Sequence, residues 1–278
     1  MILRSAILVG LIGAGALALG LPAHAQDRPG EPPALGLKSK KSVRLVRRAP
    51  TVGDAFHAEL VTKMEHATGS SKDAVTTRSG YASRILEQTV KGRFVVRLDL
   101  DAEESIAIEG SAAPVTSRTD GRTMTLELSE DETRVLPTKG MAAATGGDVL
   151  VGRAEVSAGE TWTTNKKLPV AGVLEVPVTT TYKVASIATD EKGREVVRIE
   201  LEGDGFGAVP AAKVRMRVIA RGYALVDAAR ADRPIEVRLT YRFIAEGGEG
   251  PDEETRSEIH LKTTEGAAAA RPGKESGQ

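Results

Sequence analysis

Lys91-Gly92-Arg93-Phe94-Val95-Val96-Arg97-Leu98-Asp99-Leu100 returns 101 positions later as Lys192-Gly193-Arg194-Glu195-Val196-Val197-Arg198-Ile199-Glu200-Leu201, with seven of ten positions identical. In the first copy the apolar residues Phe94, Val96, Leu98 and Leu100 alternate with Arg93, Val95, Arg97 and Asp99. That period of two belongs to a strand with one covered face. Moving outward, Tyr81 falls on Tyr182 without a gap. Val52-Gly53-Asp54-Ala55-Phe56 resembles Ala158-Gly159-Glu160-Thr161-Trp162 after a five-residue shift. One β-rich unit used twice accounts for the pattern.

Alternation continues elsewhere. Phe56, Ala58, Leu60, Thr62 and Met64 fall on one side of a strand over Phe56–His66, opposite His57, Glu59, Val61, Lys63 and Glu65. Met124–Leu128, Val214–Val218, Ile235–Phe243 and Ile259–Leu261 follow the same rule. Thr68-Gly69-Ser70, Asp120-Gly121, Glu191-Lys192-Gly193 and Gly247-Gly248 punctuate them as turns. Tyr81–Val90 fits either an amphipathic helix or a strand. Its partner Tyr182–Ile187 follows the β-branched run Val178-Thr179-Thr180-Thr181, which decides for strand in both copies. One helical turn is expected near Pro210–Lys213.

The expected fold is all-β, with two similar antiparallel units. They would pack as two domains or as two halves of one curved sheet system. Met1–Ala25 reads as a secretory signal peptide: Arg4 is the basic start, Ala6–Leu21 the apolar stretch, and Ala23-His24-Ala25 the cleavage signal. The apolar stretch is short for a membrane span, and Pro22 ends it. The expected boundaries are a tether over 26–50, unit 1 over 51–147, unit 2 with a C-terminal hairpin over 148–265, and a disordered tail over 266–278. Gly140–Gly147 is the short link between the units.

Composition narrows the functions. The 278 residues contain no cysteine, which removes thiol nucleophiles and thiolate metal sites. Lys+Arg and Asp+Glu balance at 38 each, so no dominant attraction to nucleic acid is expected. Aromatics make up 3%, little material for carbohydrate platforms.

Gly53-Asp54-Ala55-Phe56 and Gly159-Glu160-Thr161-Trp162 each open a unit. Gly permits a turn, the acid can bond backbone N–H groups, and the aromatic seats in the core. With the strand-rich stretch through Phe243, this resembles a family of uncharacterised bacterial exported proteins with a Val-Gly-Asp-x-Trp strand-entry motif. The second copy departs from that motif as Ala158-Gly159-Glu160. The resemblance carries no assigned activity, so it implies no catalytic residue.

Candidate chemistry is sparse. The strands over Arg93–Glu103 and Arg194–Asp204 each line up three acids on one face: Asp99, Asp101 and Glu103, then Glu200, Glu202 and Asp204. They would either contribute to a Ca²⁺ site or pair with Lys and Arg on neighbouring strands; the missing tight acidic loop favours pairing. His57, His66 and His260 lack metal-ligand spacing and read as surface residues. Arg78-Ser79-Gly80 lacks the setting of a nucleophile elbow. Gly203-Asp204-Gly205-Phe206-Gly207 reads as a flexible connection between strands. Lys38, Lys40, Lys41, Arg44, Arg47 and Arg48 form either a patch for an anionic surface or a linker entering a charged edge strand at Val43–Arg47.

The expectation is an exported, non-catalytic binding or structural protein of the cell envelope, periplasmic or extracellular. It would hold a hydrophobic small molecule or a protein partner, without a cofactor, nucleic acid or transmembrane span after signal cleavage. No catalytic, cofactor or metal residue is assigned. The alternative is a carboxylate-dependent hydrolase using Asp99 or Asp101 with an acid from a neighbouring strand.

Overall fold

Alternating burial along each segment builds the molecule. The computed structural model describes residues 41–68, 71–108, 115–130, 133, 153–170, 174–209, 214–247 and 253–266. In chain order these form β1 (Ser42–Arg44), β2 (Ala55–Thr68), β3 (Ser71–Gln88), β4 (Phe94–Ile108) and β5 (Val115–Leu128). Then come β6 (Glu155–Ser157), β7 (Thr161–Val170), β8 (Leu174–Thr189), β9 (Glu195–Val209) and β10 (Val214–Asp227). A 3₁₀ turn at Ala228–Arg230 precedes β11 (Pro234–Glu246) and β12 (Glu253–Glu265). The fold is all-β, and every strand pairing is antiparallel.

Ten strands form one sheet in the order β5-β4-β3-β2-β12-β11-β10-β9-β8-β7. Of the two expected arrangements, this is the single sheet system. β12 joins the halves by pairing with β2, Ile259 opposite Thr62 and Leu261 opposite Leu60. β1 and β6 pair separately as a two-stranded sheet.

The halves share local detail. Tyr81 lies opposite Leu100, and Tyr182 opposite Leu201. Gly53 (φ +91°) and Gly159 (φ +84°) occupy equivalent entry turns. In the first turn Gly53 N–H donates to Ile85 C=O at 3.0 Å, and Ile85 N–H to Asp54 C=O at 2.9 Å. In the second, Gly159 N–H donates to Val184 C=O at 2.8 Å, and Val184 N–H to Glu160 C=O at 2.9 Å. The acids accept as the motif predicts: Asp54 from Thr51 N–H at 3.0 Å, Glu160 from Ser157 N–H at 2.9 Å. The following hairpins carry Gly92 and Gly193, both at φ +76°.

One face is buried across both halves. Phe56, Ala58, Ile85, Phe94, Val96, Val184, Ile187, Val197, Ile199, Val237, Leu239 and Leu261 belong to one continuous apolar cluster. Val43 and Val156 from the small sheet join it, as does Leu45 just after β1. Among the described residues the only other sheet is two three-residue strands, too small to cover a ten-stranded face, which fits a large sheet that curls on itself. Bulges between β3 and β4, β4 and β5, β8 and β9, and β10 and β11 supply local bends.

Glycines supply the rest. A Cβ at Gly222 would overlap the Arg238 carbonyl oxygen and meet Leu239 Cα at 2.9 Å; one at Gly205 would overlap the Pro177 carbonyl oxygen. These backbones approach more closely than side chains permit, as in a strongly coiled sheet. This corrects the sequence expectation for Gly203–Gly207, which lies inside β9 rather than in a connection. Local composition marks it as a loop; close packing against β8 explains Gly203 and Gly205.

β3 confirms the strand assignment of Tyr81 and ends at Gln88. The described 3₁₀ turn falls at Ala228–Arg230, where Asp227 accepts the Ala229 N–H at 2.9 Å. Residues 1–40, Gly140–Gly147, Pro210–Lys213 and 267–278, with the expectations placed on them, lie outside the described residues.

Candidate functional site

The covered face is the candidate site, closed at one end and open along one edge. At the closed end the backbone after β1 bonds two other segments. Leu45 N–H donates to Ala154 C=O at 2.8 Å, and Val46 N–H to Ala228 C=O at 2.7 Å. Val43 and Leu45 point inward while Arg44 stays exposed. The charged-edge expectation for this segment thus has a structural counterpart, with Lys38 and Lys40 outside the described residues.

Along β5 the same face becomes exposed. Phe94 pairs with Leu128, Val96 with Leu126, Leu98 with Met124 and Ile106 with Val115, and residues paired across a ladder share a face. Leu128 is 5% exposed, Met124 43% and Val115 67%. β5 and β7 are the edge strands of the sheet. Apolar side chains of the covered face therefore meet solvent at the β5 edge.

Polar groups also lie on this face, among them Arg122 opposite Leu100, Ser117 opposite Glu104 and buried Ser83 opposite Phe56. Toward the far end, Asp73 on β3, His66 on β2 and Thr255 on β12 lie side by side in register. His66 Nδ1 and Thr255 Oγ1 are 3.0 Å apart. Asp73, Glu253, Thr255 and Ser257 are all buried. His66 thus departs from the surface expectation: its alternation parity places it on the covered face, as it places His57 on the other.

At the closed end, the Arg233 guanidinium lies over the Phe56 ring, 4.5 Å from its centroid. Phe56 in turn makes an edge-on contact with Tyr81 at 5.9 Å. Burial drives the Tyr81 hydroxyl well above the ordinary phenol range, with the Arg233 charge opposing it. Burial also lowers the pKa of Arg233 itself, with Arg230 acting in the same direction. The turn signals before β11 gave no hint that an arginine would point inward.

Two stacked aromatic contacts also flank the face, Trp162 with Tyr182 at 5.3 Å and Tyr241 with Phe243 at 6.0 Å. Arg153 covers the outer side of Trp162 at 4.1 Å. The expected anchoring role of Trp162 agrees with this sandwich.

The opposite face carries the acidic stripes, with arginine partners. Arg97 Nη2 meets Asp99 at 3.0 Å, and Thr123 Oγ1 donates to the same carboxylate at 2.6 Å. Those bonds hold the Asp99 carboxyl below its usual range. Arg198 pairs with Glu200 at 2.7 Å, and Arg217 with Asp204 at 2.9 Å. The residues directly opposite Asp99 are Ala82 and Thr123, so neither flanking strand places a second acid there. Among the described residues no group of three His, Asp or Glu is arranged to hold a metal ion.

A buried network on this outer face escaped sequence reasoning. Tyr223 Oη donates to Glu236 Oε1 at 3.0 Å, Arg238 Nε donates at 2.8 Å, and His260 Nε2 lies 3.2 Å away. Val196, Tyr223 and Leu225 form a small apolar cluster beside it, joined by Ile235. His260 is therefore half-buried and bonded, a departure from its expected surface role. Burial lowers its pKa, and Arg238 adds to the effect. The three groups come from β10, β11 and β12, so no local spacing announces them.

No family model matches this chain, and no curated protein matches it. Among solved structures, an outer membrane channel from Pseudomonas putida F1 is similar at 9% identity and TM-score 0.21, over 78% of this chain and 97% of that one. DynF, from the dynemicin biosynthesis pathway of Micromonospora chersina, gives 8% identity and TM-score 0.22, over 84% and 92%. Likeness at these scores carries no argument about function.

Proposed function

We propose that this chain is an exported, non-catalytic binding protein of the cell envelope that holds an apolar or amphiphilic small molecule against the covered face of its curled sheet. The observation that carries the reading is the outward apolar run along β5, from Leu128 at 5% exposed through Leu126 to Met124 at 43%, beyond which the same face turns polar at Arg122. Apolar surface continuous with a core and open at one edge is favourable ground for an apolar ligand. Export rests on the Met1–Ala25 pattern.

The outer face supports a water-exposed protein. It carries Arg97–Asp99, Arg198–Glu200, Arg217–Asp204, Arg242–Glu254 and Arg256–Glu258 pairs. A lipid-facing strand surface presents an apolar band instead.

Titration with the neutral dye N-phenyl-1-naphthylamine tests the reading. Saturable fluorescence enhancement is expected, and Met124→Glu should weaken it about tenfold by placing a charge at the entrance. Absence of saturable enhancement in the folded protein would overturn it.

A further inference from the structure

Four of the seven large apolar residues that stand exposed among the described residues gather at the closed end: Val46, Val52, Leu86 and Val90. The other three, Val115, Met124 and Phe206, lie on β5 and β9. Backbone and ionic contacts draw the first set together. Gly53 N–H donates to Ile85 C=O, which sets Val52 near Leu86. Gly92 N–H closes the β3–β4 turn on Thr89 C=O at 2.8 Å, with Val90 wholly exposed at its tip. Arg48, two residues after Val46, lies 3.9 Å from Asp54, two residues after Val52.

Turn geometry does not demand these side chains. The matching turn of the second half has the same bond, Gly193 N–H to Asp190 C=O, and the same glycine φ, yet it carries Glu191 where the first carries Val90. Val52 likewise falls on Ala158. Single exposed apolar residues are ordinary, whereas a group of them ringed by charge marks a contact surface. The ring here is basic. Residues 41–54 and 84–93 carry seven Lys and Arg against two acids, Asp54 and Glu87. From the facing segments, Glu127 offsets Arg93 and Glu155 lies opposite Arg44, which leaves the end basic.

We propose that this end docks on an anionic phospholipid surface. Val90, Leu86 and Val52 enter the boundary between headgroups and acyl chains, while Lys41, Arg44 and Lys91 meet the phosphates. The idea goes beyond the apolar-ligand reading and does not depend on it.

Co-sedimentation of Gln26–Gln278 with vesicles tests it, using phosphatidylglycerol mixed equally with phosphatidylcholine against phosphatidylcholine alone. The anionic vesicles should bind about tenfold tighter or more, and added salt should reduce the difference. Val90→Ser combined with Leu86→Ser should weaken binding about tenfold. Lys41→Gln, Arg44→Gln and Lys91→Gln together should weaken it about tenfold or more. Phe206→Ser removes a comparably exposed side chain near the other end of β9 and should leave binding unchanged. Every substituted residue is exposed, and circular dichroism melting checks that each variant folds. No preference of the unsubstituted chain for anionic vesicles would overturn the proposal without any variant. Equal losses in Phe206→Ser and the apolar pair would mean general stickiness, and full binding by the apolar pair would mean a polyanion patch without bilayer contact; either overturns it. Dye uptake by the covered face is a separate readout, so each idea can fail alone.

Discussion

At the scale of single residues, glycines and one buried carboxylate carry the strongest consequences. Gly222 sits where any Cβ would overlap the Arg238 carbonyl oxygen, whereas a Cβ at Gly203 would meet its nearest atom, Thr180 Oγ1, at 3.1 Å. Gly222→Ala should therefore cost about 3 kcal/mol or more in urea unfolding, and Gly203→Ala about 1 kcal/mol. Sequence reasoning could not rank the two, because the obstructing atoms lie on neighbouring strands. The same blindness hid Glu236, whose oxygen gathers Tyr223, Arg238 and His260 from three strands. This network makes stability pH-dependent in a defined direction. Folding depresses the His260 pKa below its ordinary 6.5, so the unfolded chain binds the proton more readily. The contribution is complete above pH 6.5 and is lost as pH falls through the lower folded value. Thermal melting should show that loss, and His260→Gln should remove its histidine component. At the alkaline end the Tyr223 pKa is pushed up to about 12, by burial first and then by Glu236. Stability should decline as pH rises from 10 toward that value, and less so in Tyr223→Phe.

At the scale of elements, the entry turns are the most legible feature. Asp54 and Glu160 make the backbone bonds that a Gly-acid-x-aromatic pattern implies, after glycines that both adopt positive φ. Gly53→Ala and Gly159→Ala should each cost about 1–2 kcal/mol, since both force alanine into the left-handed region. Asp54→Ala and Glu160→Ala should each cost about 1 kcal/mol through the orphaned N–H. Equal penalties in chemical denaturation would show that the two turns do the same work. Legibility stops at the pairing of the first strand in each half. Phe56 lies opposite Ser83, whereas Trp162 lies opposite Tyr182. Relative to the repeat, that is a slip of two residues, which preserves the covered face and leaves no trace in the hydrophobic pattern.

For the whole molecule, alternation predicts a covered face but not what covers it. The seam between β12 and β2 joins residues about two hundred positions apart, and no local signal marks it. The curl is suggested only once one sheet is seen to bury one face, with no second layer of comparable size among the described residues. Its consequence is a core that continues outward through Leu126 into exposed Met124. Native mass spectrometry of Gln26–Gln278 purified from its own host compartment tests that claim most directly. The account predicts extra mass that disappears on denaturation and corresponds to an apolar or amphiphilic molecule. A clean apo mass, with no adduct after incubation with dodecanoate or dodecanol, would contradict it.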